Sequence, residues 1–322
     1  MNALWLVGAG RMGRAYAAVL KALEIPTLAV CRSQASADLF SAETGLPATA
    51  GGCAAALQHA GAAPEAAVVA VDVQELAATA GALIDMGCRR ILLEKPGGVD
   101  AAELEALALK AEAAGAEVWL GYNRRFYASV LAAQRGLAED GGAVSMSFDF
   151  TEVSDAVAAI GHDPRVLNEW LLANSTHVID TAFVLGGRPA EWSGLVDGAL
   201  DWHPRAARFA GHGRTDQGVT FTYAADWDAP GRWAIEISSR RRRFILKPME
   251  QLQIQQRGSF NAELQAPEDD LDQRFKPGLY RQTRAFVTGE DAHRLPSLAE
   301  HRDRLRHIYA PMLTTQGVRA DG

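Results

Sequence analysis

The sequence predicts two successive domains: an α/β domain with a doubly wound parallel sheet, then an α+β domain with an open, mostly antiparallel sheet. The chain has 322 residues, more than a single hydrophobic core usually serves. Residues 1–121 alternate short apolar runs with alanine-rich helical stretches, which is typical of a parallel sheet covered on both faces. Residues 122–322 mix polar and apolar positions along their strands, which is typical of a sheet with one open face.

The secondary structure of the first domain follows from the length and spacing of its apolar residues. The short continuous apolar runs predict buried strands, and apolar residues at helical spacing, such as Met12, Tyr16 and Val19, predict the helices between them. The predicted strands are 3–8, 26–31, 66–71, 89–94 and 116–122, and the predicted helices are 11–24, 74–86 and 102–115.

The second domain is predicted to combine strands with a few helices. Its strands are predicted at 143–150, 219–227 and 233–239, and its helices at 164–172, 176–185, 279–287 and 298–313. The last two helices are amphipathic, and we expect these C-terminal helices to pack back on the first domain.

Composition and charge exclude several classes of protein. Apolar residues make up 48% of the chain and the net charge is −7, which argues against a nucleic-acid partner. The N-terminus lacks a signal-peptide pattern. The sequence also lacks a run of about 18 apolar residues, which is the length that would predict a membrane span. The three cysteines are widely spaced, which fits reduced thiols rather than disulfides or a metal site. We therefore expect a cytoplasmic protein without a bound metal.

A glycine motif lies between the first predicted strand and the first predicted helix. Gly8, Gly10 and Gly13 in "GAGRMG" have the G-x-G-x-x-G spacing. Gly8 permits a tight turn, Gly10 lets a pyrophosphate approach the backbone, and Gly13 lets the helix approach the sheet. The motif predicts a dinucleotide-binding Rossmann domain, with Arg11 and Met12 beside the cofactor. A glycine-rich turn that binds nothing is the alternative.

The end of the second strand indicates which dinucleotide binds. NAD sites usually carry an acid about 20 residues after the glycine motif. Here Arg32 and Ser33 occupy that position, and no acid lies between Glu24 and Asp38. Because a guanidinium and a hydroxyl can both bind a 2′-phosphate, we expect NADP(H) rather than NAD(H). The alternative for Arg32 is a solvated loop charge.

Two further residues are candidates for chemistry. Lys95 follows the strand 89–94, and ligands of doubly wound sheets bind beyond the carboxyl ends of the strands. The following Pro96 marks a common place for a cis peptide. His177 lies in "LLANSTHVID" and either handles a proton or is an ordinary half-buried helix residue.

The motifs together resemble the glucose–fructose oxidoreductase/inositol dehydrogenase (Gfo/Idh/MocA) family of sugar dehydrogenases. The matching segments are "GAGRMG" at 8–13, "EKPGG" at 94–98, "GYNRRF" at 121–126 and "HVIDTAFVLGG" at 177–187. The resemblance implies a Rossmann domain followed by an α+β domain for substrate binding. It also implies that the open sheet of the second domain supports a homodimer or homotetramer.

The resemblance further assigns site residues. It implies that Glu94 and Lys95 lie at the cofactor, and that Lys95 lies near the substrate carbon with His177 facing it. It implies that Asn123 and Arg124 lie at the domain junction and contact the substrate. In addition, "FKPGLYRQ" reads as a turn before a helix, from which Lys276 and Tyr280 could reach the cleft.

The sequence departs from the family pattern ahead of His177. The family carries an aspartate four residues before this histidine, and Ala173 occupies that position here. Asn174 could face the same way as His177 and contact the substrate, or Asn174 or Ser175 could be the N-cap of helix 176–185. If one of them is the cap, His177 lies in the first helical turn, where the helix dipole favours neutral imidazole.

A run of four arginines has two interpretations. Arg240–Arg243 is expected to alternate along a strand, so that two guanidinium groups face each side. A solvated sheet face is the first interpretation, and anchoring of a substrate phosphate is the second.

These residues predict an NADP-dependent oxidoreductase. It would transfer a hydride between nicotinamide and a carbinol or keto carbon of a sugar, sugar phosphate or nucleotide sugar. His177 would act as general acid/base and Lys95 would polarise the oxygen. Two alternatives stay open: a glycosidase or epimerase-like enzyme that oxidises its substrate transiently with a tightly bound nicotinamide, and a non-catalytic nucleotide-sensing regulator.

Overall fold

The computed structural model describes residues 3–315, and they form two compact units. The first unit contains the residues up to Asn123 together with Leu271–Asp303. The second contains Arg124–Asp270 and the residues from Arg304 onward. The last helices of the chain are therefore divided between the two units.

The first unit is built on a parallel sheet, as the sequence predicts. Its elements are β1 (Leu4–Val7), α1 (Arg11–Ala22), β2 (Thr27–Val30), α2 (Gln34–Thr44), β3 (Ala48–Thr49), α3 (Gly52–Ala60), β4 (Ala66–Val69), α4 (Val73–Asp85), β5 (Arg90–Leu93), α5 (Ala101–Ala114) and β6 (Glu117–Leu120). The strand order is β3-β2-β1-β4-β5-β6, and neighbouring strands are parallel. The order reverses between β1 and β4, which opens a crevice at the carboxyl ends of these strands.

The second unit is built on a mostly antiparallel sheet. Its elements are α6 (Ala128–Glu139), β7 (Ser145–Asp149), α7 (Ser154–Ile160), α8 (Pro164–Asn168), α9 (Thr176–Gly186), β8 (Pro189–Asp197), β9 (Arg208–Thr215), β10 (Thr220–Asp226), β11 (Ala234–Ser238), β12 (Arg242–Leu246), β13 (Leu252–Gln256) and β14 (Ala262–Gln265). The strand order is β14-β13-β12-β11-β7-β10-β9-β8, and among the described strands of this second sheet only the β7–β10 pair is parallel. Phe148 of β7 packs edge-on against Phe183 of α9, with 5.4 Å between ring centroids, so this helix covers one face of the sheet.

The predicted helix 164–172 is wrong in its second half. Helix α8 ends at Asn168, and residues Leu171–Ser175 form a π-helical turn that continues into α9. The backbone N–H of Thr176 donates to the carbonyl of Leu171, five residues earlier, which is the hydrogen bond of a π-helix. The wider turn holds one more residue than an α-helical turn.

The predicted cap of α9 is also wrong. Ser175 has right-handed helical backbone angles and makes no capping side-chain hydrogen bond. Because the π-helical turn runs directly into α9, His177 does not lie at a free helix N-terminus. The helix dipole therefore does not act on His177 in the way that the cap interpretation implied.

The last segment returns to the first unit after the second sheet. It contains α10 (Asp270–Arg274), α11 (Leu279–Thr288) and α12 (Leu298–Arg304). Within the first unit, the Arg90 guanidinium on β5 donates to the carbonyl of Phe286 at 2.7 Å. The backbone N–H of Leu120 on β6 donates to the carbonyl of Pro296 at 2.9 Å. Residues 271–303 thus complete the core beside β5 and β6.

The predicted helix 298–313 is shorter in the structure. After α12 the chain forms a π-helical turn at Leu305–Tyr309 and a 3₁₀ turn at Pro311–Leu313, since Pro311 has no N–H to continue an α-helix. No helix within residues 3–315 is long and apolar enough to cross a membrane.

Candidate functional site

A cavity of about 440 Å³ opens at the carboxyl ends of β1, β2 and β4 in the first unit. This is the crevice created by the reversal of strand order. Its lining includes Gly8, Gly10, Arg32, Ser36, Cys53 and Thr79. The cavity therefore joins the glycine motif to the end of β2, the two regions that the sequence assigned to the cofactor.

The three glycines of the motif differ in what they allow. Gly8 has a φ of +115°, and a Cβ there would lie 2.4 Å from the carbonyl oxygen of Ala70. A Cβ on Gly13 would lie 2.0 Å from the carbonyl oxygen of Gly8, so only glycine lets α1 start this close to β1. A Cβ on Gly10 would meet nothing within 4 Å, and Gly10 lines the cavity. The loop is thus a backbone cradle that fits a pyrophosphate.

The remaining residues of the loop lie elsewhere. Arg11 is exposed and Met12 is half-buried at the start of α1, and neither lines the cavity. Arg14 does line it, and its guanidinium donates to the carbonyl of Ala9 at 2.7 Å. Sequence reasoning missed Arg14, although its position in the first turn of the helix was a signal.

The two predicted cofactor residues at the end of β2 have different roles in the structure. Arg32 lines the cavity, whereas the Ser33 hydroxyl accepts a hydrogen bond from the Ser36 backbone and caps α2. Two acids, Asp72 and Glu75, also line the cavity, but they follow β4 rather than β2. Arg32 therefore remains the charged residue at the position that an acid occupies in many NAD sites.

Glu94 is half-buried and belongs to a polar cluster of the first unit whose other members, Tyr16 and Gln282, are buried. The Tyr16 hydroxyl donates to its Oε1 at 2.6 Å, and the Gln282 amide donates to the same hydroxyl at 2.9 Å. Burial raises the pKa of Glu94, while the Tyr16 hydrogen bond and the charges of Lys95 and Lys276 oppose that rise. Burial and the neighbouring Glu94 raise the pKa of Tyr16 well above its usual value. Glu94 is thus held by α1 and α11 and does not line the cavity.

Lys95 lies directly after β5, at the same edge of the sheet as the glycine motif. It is half-buried, and the Lys95–Pro96 peptide is cis. Asn123 is buried, and its amide donates to the carbonyl of Pro277 at 2.9 Å. Tyr280 is half-buried and stacks on Phe275, with ring centroids 5.1 Å apart.

His177 and Arg124 lie on either side of Trp233 in the second unit. His177 is 6% exposed, and the centroid of its ring lies 6.2 Å from that of Trp233. The Arg124 guanidinium lies over Trp233 at 4.6 Å from the ring centroid, a cation–π contact. Arg124 and Trp233 also line a cavity of about 220 Å³ together with Glu152, Arg232 and Glu250. We call it the Trp233 cavity.

Glu152 is a site residue that sequence reasoning missed. It follows β7, is buried, and accepts hydrogen bonds from both polar residues that precede α9. Asn174 Nδ2 donates to its Oε2 at 3.0 Å, and Ser175 Oγ donates to its Oε1 at 2.7 Å. An acid three residues after the end of β7 was the available signal, but its partners lie more than 20 residues away.

Asp180, one turn after His177, supports the helix. Arg125 donates to both of its carboxylate oxygens at 2.7 Å, and Arg304 lies 3.3 Å from Oδ1. The Asp180 side chain is 1% exposed, and those of Arg125 and Arg304 are 6% and 8% exposed. The group is a buried ion cluster of the second unit.

The arginine run does not alternate along a strand, so that prediction is wrong. Arg240 and Arg241 lie before β12, in the connection from β11, because the chain turns there. Arg242 donates to Asp140 at 2.8 Å and to Glu139 at 2.9 Å, and Arg243 pairs with Glu236. The Arg242 guanidinium lowers the pKa of Asp140. Arg242 and Arg243 are thus already neutralised by neighbouring acids, which disfavours phosphate anchoring at these two.

The glycine cradle and the parallel sheet define the class of protein. Residues 4–122 match the family described as "Oxidoreductase family, NAD-binding Rossmann fold". The protein is an NAD(P)-dependent oxidoreductase. This is the Gfo/Idh/MocA family that the motifs resemble, and the match covers the first sheet and its helices. No curated protein sequence gives a significant match.

Solved structures share the two-part fold over nearly the whole chain. A dehydrogenase from Clostridium difficile is 14% identical with a TM-score of 0.75, covering 95% of this chain and 96% of its own. The UDP-N-acetylglucosamine 3-dehydrogenase from Acidithiobacillus ferrooxidans is 16% identical with a TM-score of 0.70, covering 97% and 95%. A levoglucosan dehydrogenase, in complex with NADH and levoglucosan, is 16% identical with a TM-score of 0.69, covering 94% and 93%. At these identities the likeness concerns the fold.

Proposed function

We propose that the protein is an NADP(H)-dependent dehydrogenase or ketoreductase of a sugar or sugar derivative. The observation that carries the proposal is the open glycine cradle, in which Gly10 faces a cavity that also contains Arg32. The names of two structural neighbours, UDP-N-acetylglucosamine 3-dehydrogenase and levoglucosan dehydrogenase, support a sugar substrate. The nicotinamide would supply the hydride donor or acceptor.

The residues of the chain divide the remaining work. Lys95 would donate a hydrogen bond to the substrate oxygen and stabilise the negative charge that develops there. His177 would exchange the proton of that hydroxyl as general acid/base. Arg124, held over Trp233, has a guanidinium suited to the polar groups of the substrate. Asn123, which follows β6 and donates to Pro277 in the turn before α11, and Tyr280, which lies on α11, are proposed to contact the substrate.

The preference for NADP(H) is proposed from Arg32. A guanidinium in the cavity favours a 2′-phosphate, because a charge-assisted hydrogen bond contributes about 1.5–3 kcal/mol. This corresponds to roughly a tenfold to hundredfold difference in affinity. The hydroxyl of Ser36, which also lines the cavity, is better placed than that of Ser33 to assist, because Ser33 caps α2.

Titration of both reduced cofactors by fluorescence tests the cofactor assignment. We expect NADPH to bind at least several-fold tighter than NADH, and Arg32→Asp to remove that difference by weakening NADPH alone. Arg135→Asp, an exposed charge reversal on α6 of the second unit, is the matched control and should change neither affinity. Equal affinities in the parent protein, or a preference for NADH, would refute the assignment.

Turnover assays test the reaction. The purified protein is incubated with NADPH and a panel of keto sugars, sugar phosphates and nucleotide sugars, and with NADP⁺ and the corresponding alcohols. We expect one chemical class to change the absorbance at the nicotinamide band. Absence of any turnover, together with tight dinucleotide binding, would instead favour a nucleotide-sensing regulator.

A further inference from the structure

Glu152 is a buried carboxylate whose two oxygens are both held by the turn that leads into α9. Its side-chain partners there are Asn174 at 3.0 Å and Ser175 at 2.7 Å, and both of these donate. A carboxylate that accepts at both oxygens is suited to its ionised form, which is an acceptor only. The negative charge of Glu152 is thus held by hydrogen bonds to Asn174 and Ser175, which lie three and two residues before His177.

Glu152 and His177 also share a neighbour. Glu152 lines the Trp233 cavity, and the imidazole of His177 packs against Trp233. Both side chains are 6% exposed, so little water screens the charge of one from the ring of the other. The residue four positions before His177 is Ala173, so the preceding helical turn supplies no acid of its own at that place.

We infer that Glu152 is a positioning residue that sets the protonation of His177 from a different element of the fold. A nearby negative charge stabilises the imidazolium ion, and the hydrogen bonds from Asn174 and Ser175 keep that charge beside the start of α9. The hydrogen-bonded carboxylate would thereby tune the group that exchanges a proton with substrate. The inference rests on the proposed function for the role of His177, but the coupling is measurable without substrate.

The other charged residues near Glu152 and His177 are not altered when Glu152 is substituted. Arg124, Arg232 and Glu250 line the same cavity. Asp180, on the same helix as His177, is engaged by Arg125 and Arg304. A carboxylate-to-amide change at Glu152 alters only one of these charges, so a displaced titration of His177 reports on Glu152.

The direct experiment is a pH titration of His177 by NMR in the full-length protein with labelled histidines. The chain has eight histidines, and the His177 resonance is assigned by its loss in His177→Ala. We expect Glu152→Gln, which keeps the shape of the side chain, to lower the titration midpoint of His177 by about 1 pH unit, the low end for a neighbouring opposite charge. The control Asp155→Asn removes an exposed acid three positions along the chain and should leave the midpoint unchanged.

The outcomes separate the possibilities. An unchanged midpoint in Glu152→Gln overturns the inference, as does an equal shift in the control. If Glu152→Gln does not fold, the double variant Asn174→Ala/Ser175→Ala removes both donors that hold the carboxylate charge beside the start of α9. A midpoint that does not fall in this variant overturns the inference equally. The titration does not depend on turnover, so failure to find a sugar substrate would refute the proposed function alone.

With a substrate in hand, the pH–rate profile adds a second readout. The acidic limb of the oxidation rate should move to lower pH in Glu152→Gln by the same amount as the NMR midpoint, because neutral imidazole is the base. A variant that merely loosens the structure would lower the rate without moving that limb.

Discussion

The buried ion cluster at Asp180 gives the sharpest test of how the second unit is held together. Substitution of Asp180 by Asn removes one negative charge and keeps the volume of the side chain, so no cavity is created. Two guanidinium groups, those of Arg125 and Arg304, would then remain buried without the carboxylate that compensates them. Removal of one partner from a buried ion pair typically costs about 3–5 kcal/mol, and we expect Asp180→Asn to lie in that range.

Denaturant unfolding followed by tryptophan fluorescence suits this measurement. Five of the seven tryptophans belong to the second unit: Trp170, Trp192, Trp202, Trp227 and Trp233. The emission therefore reports mainly on the unit that contains the cluster. Because the two units can unfold separately, the transition of each is fitted on its own before a free energy is assigned.

A matched control separates the buried cluster from ordinary ion pairs. Asp197 lies 3.7 Å from Arg208, but its side chain is 71% exposed, so Asp197→Asn should change the free energy of unfolding by less than about 1 kcal/mol. If Asp180→Asn costs no more than Asp197→Asn, the reasoning from burial is refuted. If Asp180→Asn instead lowers turnover with its stability unchanged, Asp180 takes part in the chemistry.

Three further predictions concern the cofactor, the reaction and the assembly. Gly13→Ala should weaken NADPH binding at least about tenfold in a fluorescence titration, because its Cβ would lie 2.0 Å from the carbonyl oxygen of Gly8, and unchanged affinity would contradict the cradle. Lys95→Met should lower turnover at least about 100-fold with cofactor affinity nearly intact, whereas near-normal turnover would mean that Lys95 is only a surface charge. The protein should sediment as a homo-oligomer at micromolar concentration, since Leu195 and Leu264 on the outer strands β8 and β14 are 59% and 65% exposed, and a monomer would contradict this.

The parallel sheet was predictable because its signals are local. Each strand is a short run of buried apolar residues, and the glycine motif fixes where the first strand ends and the first helix begins. The short β3 and the helices α2 and α3 were not predicted, because the pattern there is weak and small residues dominate. Their boundaries depend on glycines in the left-handed region, such as Gly45 and Gly61.

The candidate site also contains residues that were predictable from the sequence and residues that were not. Gly8, Gly10 and Arg32 were predictable, because a motif or a strand end specifies their place. Glu152 was not, because its contact with Ser175 joins two elements that the sequence does not show to be neighbours. Asn174 had two interpretations, a contact on the His177 side of the helix or an N-cap, and its partner Glu152 was in neither because it lies 22 residues away.

The contribution of residues 271–303 to the first unit has a consequence for synthesis on the ribosome. Gln282 donates to the hydroxyl of Tyr16, and His301 lies 2.9 Å from the carbonyl oxygen of Pro96, so the N-terminal core lacks these contacts until nearly the whole chain has been made. The intervening unit emerges while the first is still unfinished. Nascent chains stopped after residue 270 would expose the Trp119 surface that Phe286 covers. Chaperones that recognise apolar segments would have a binding site there until residues 271–303 are synthesised.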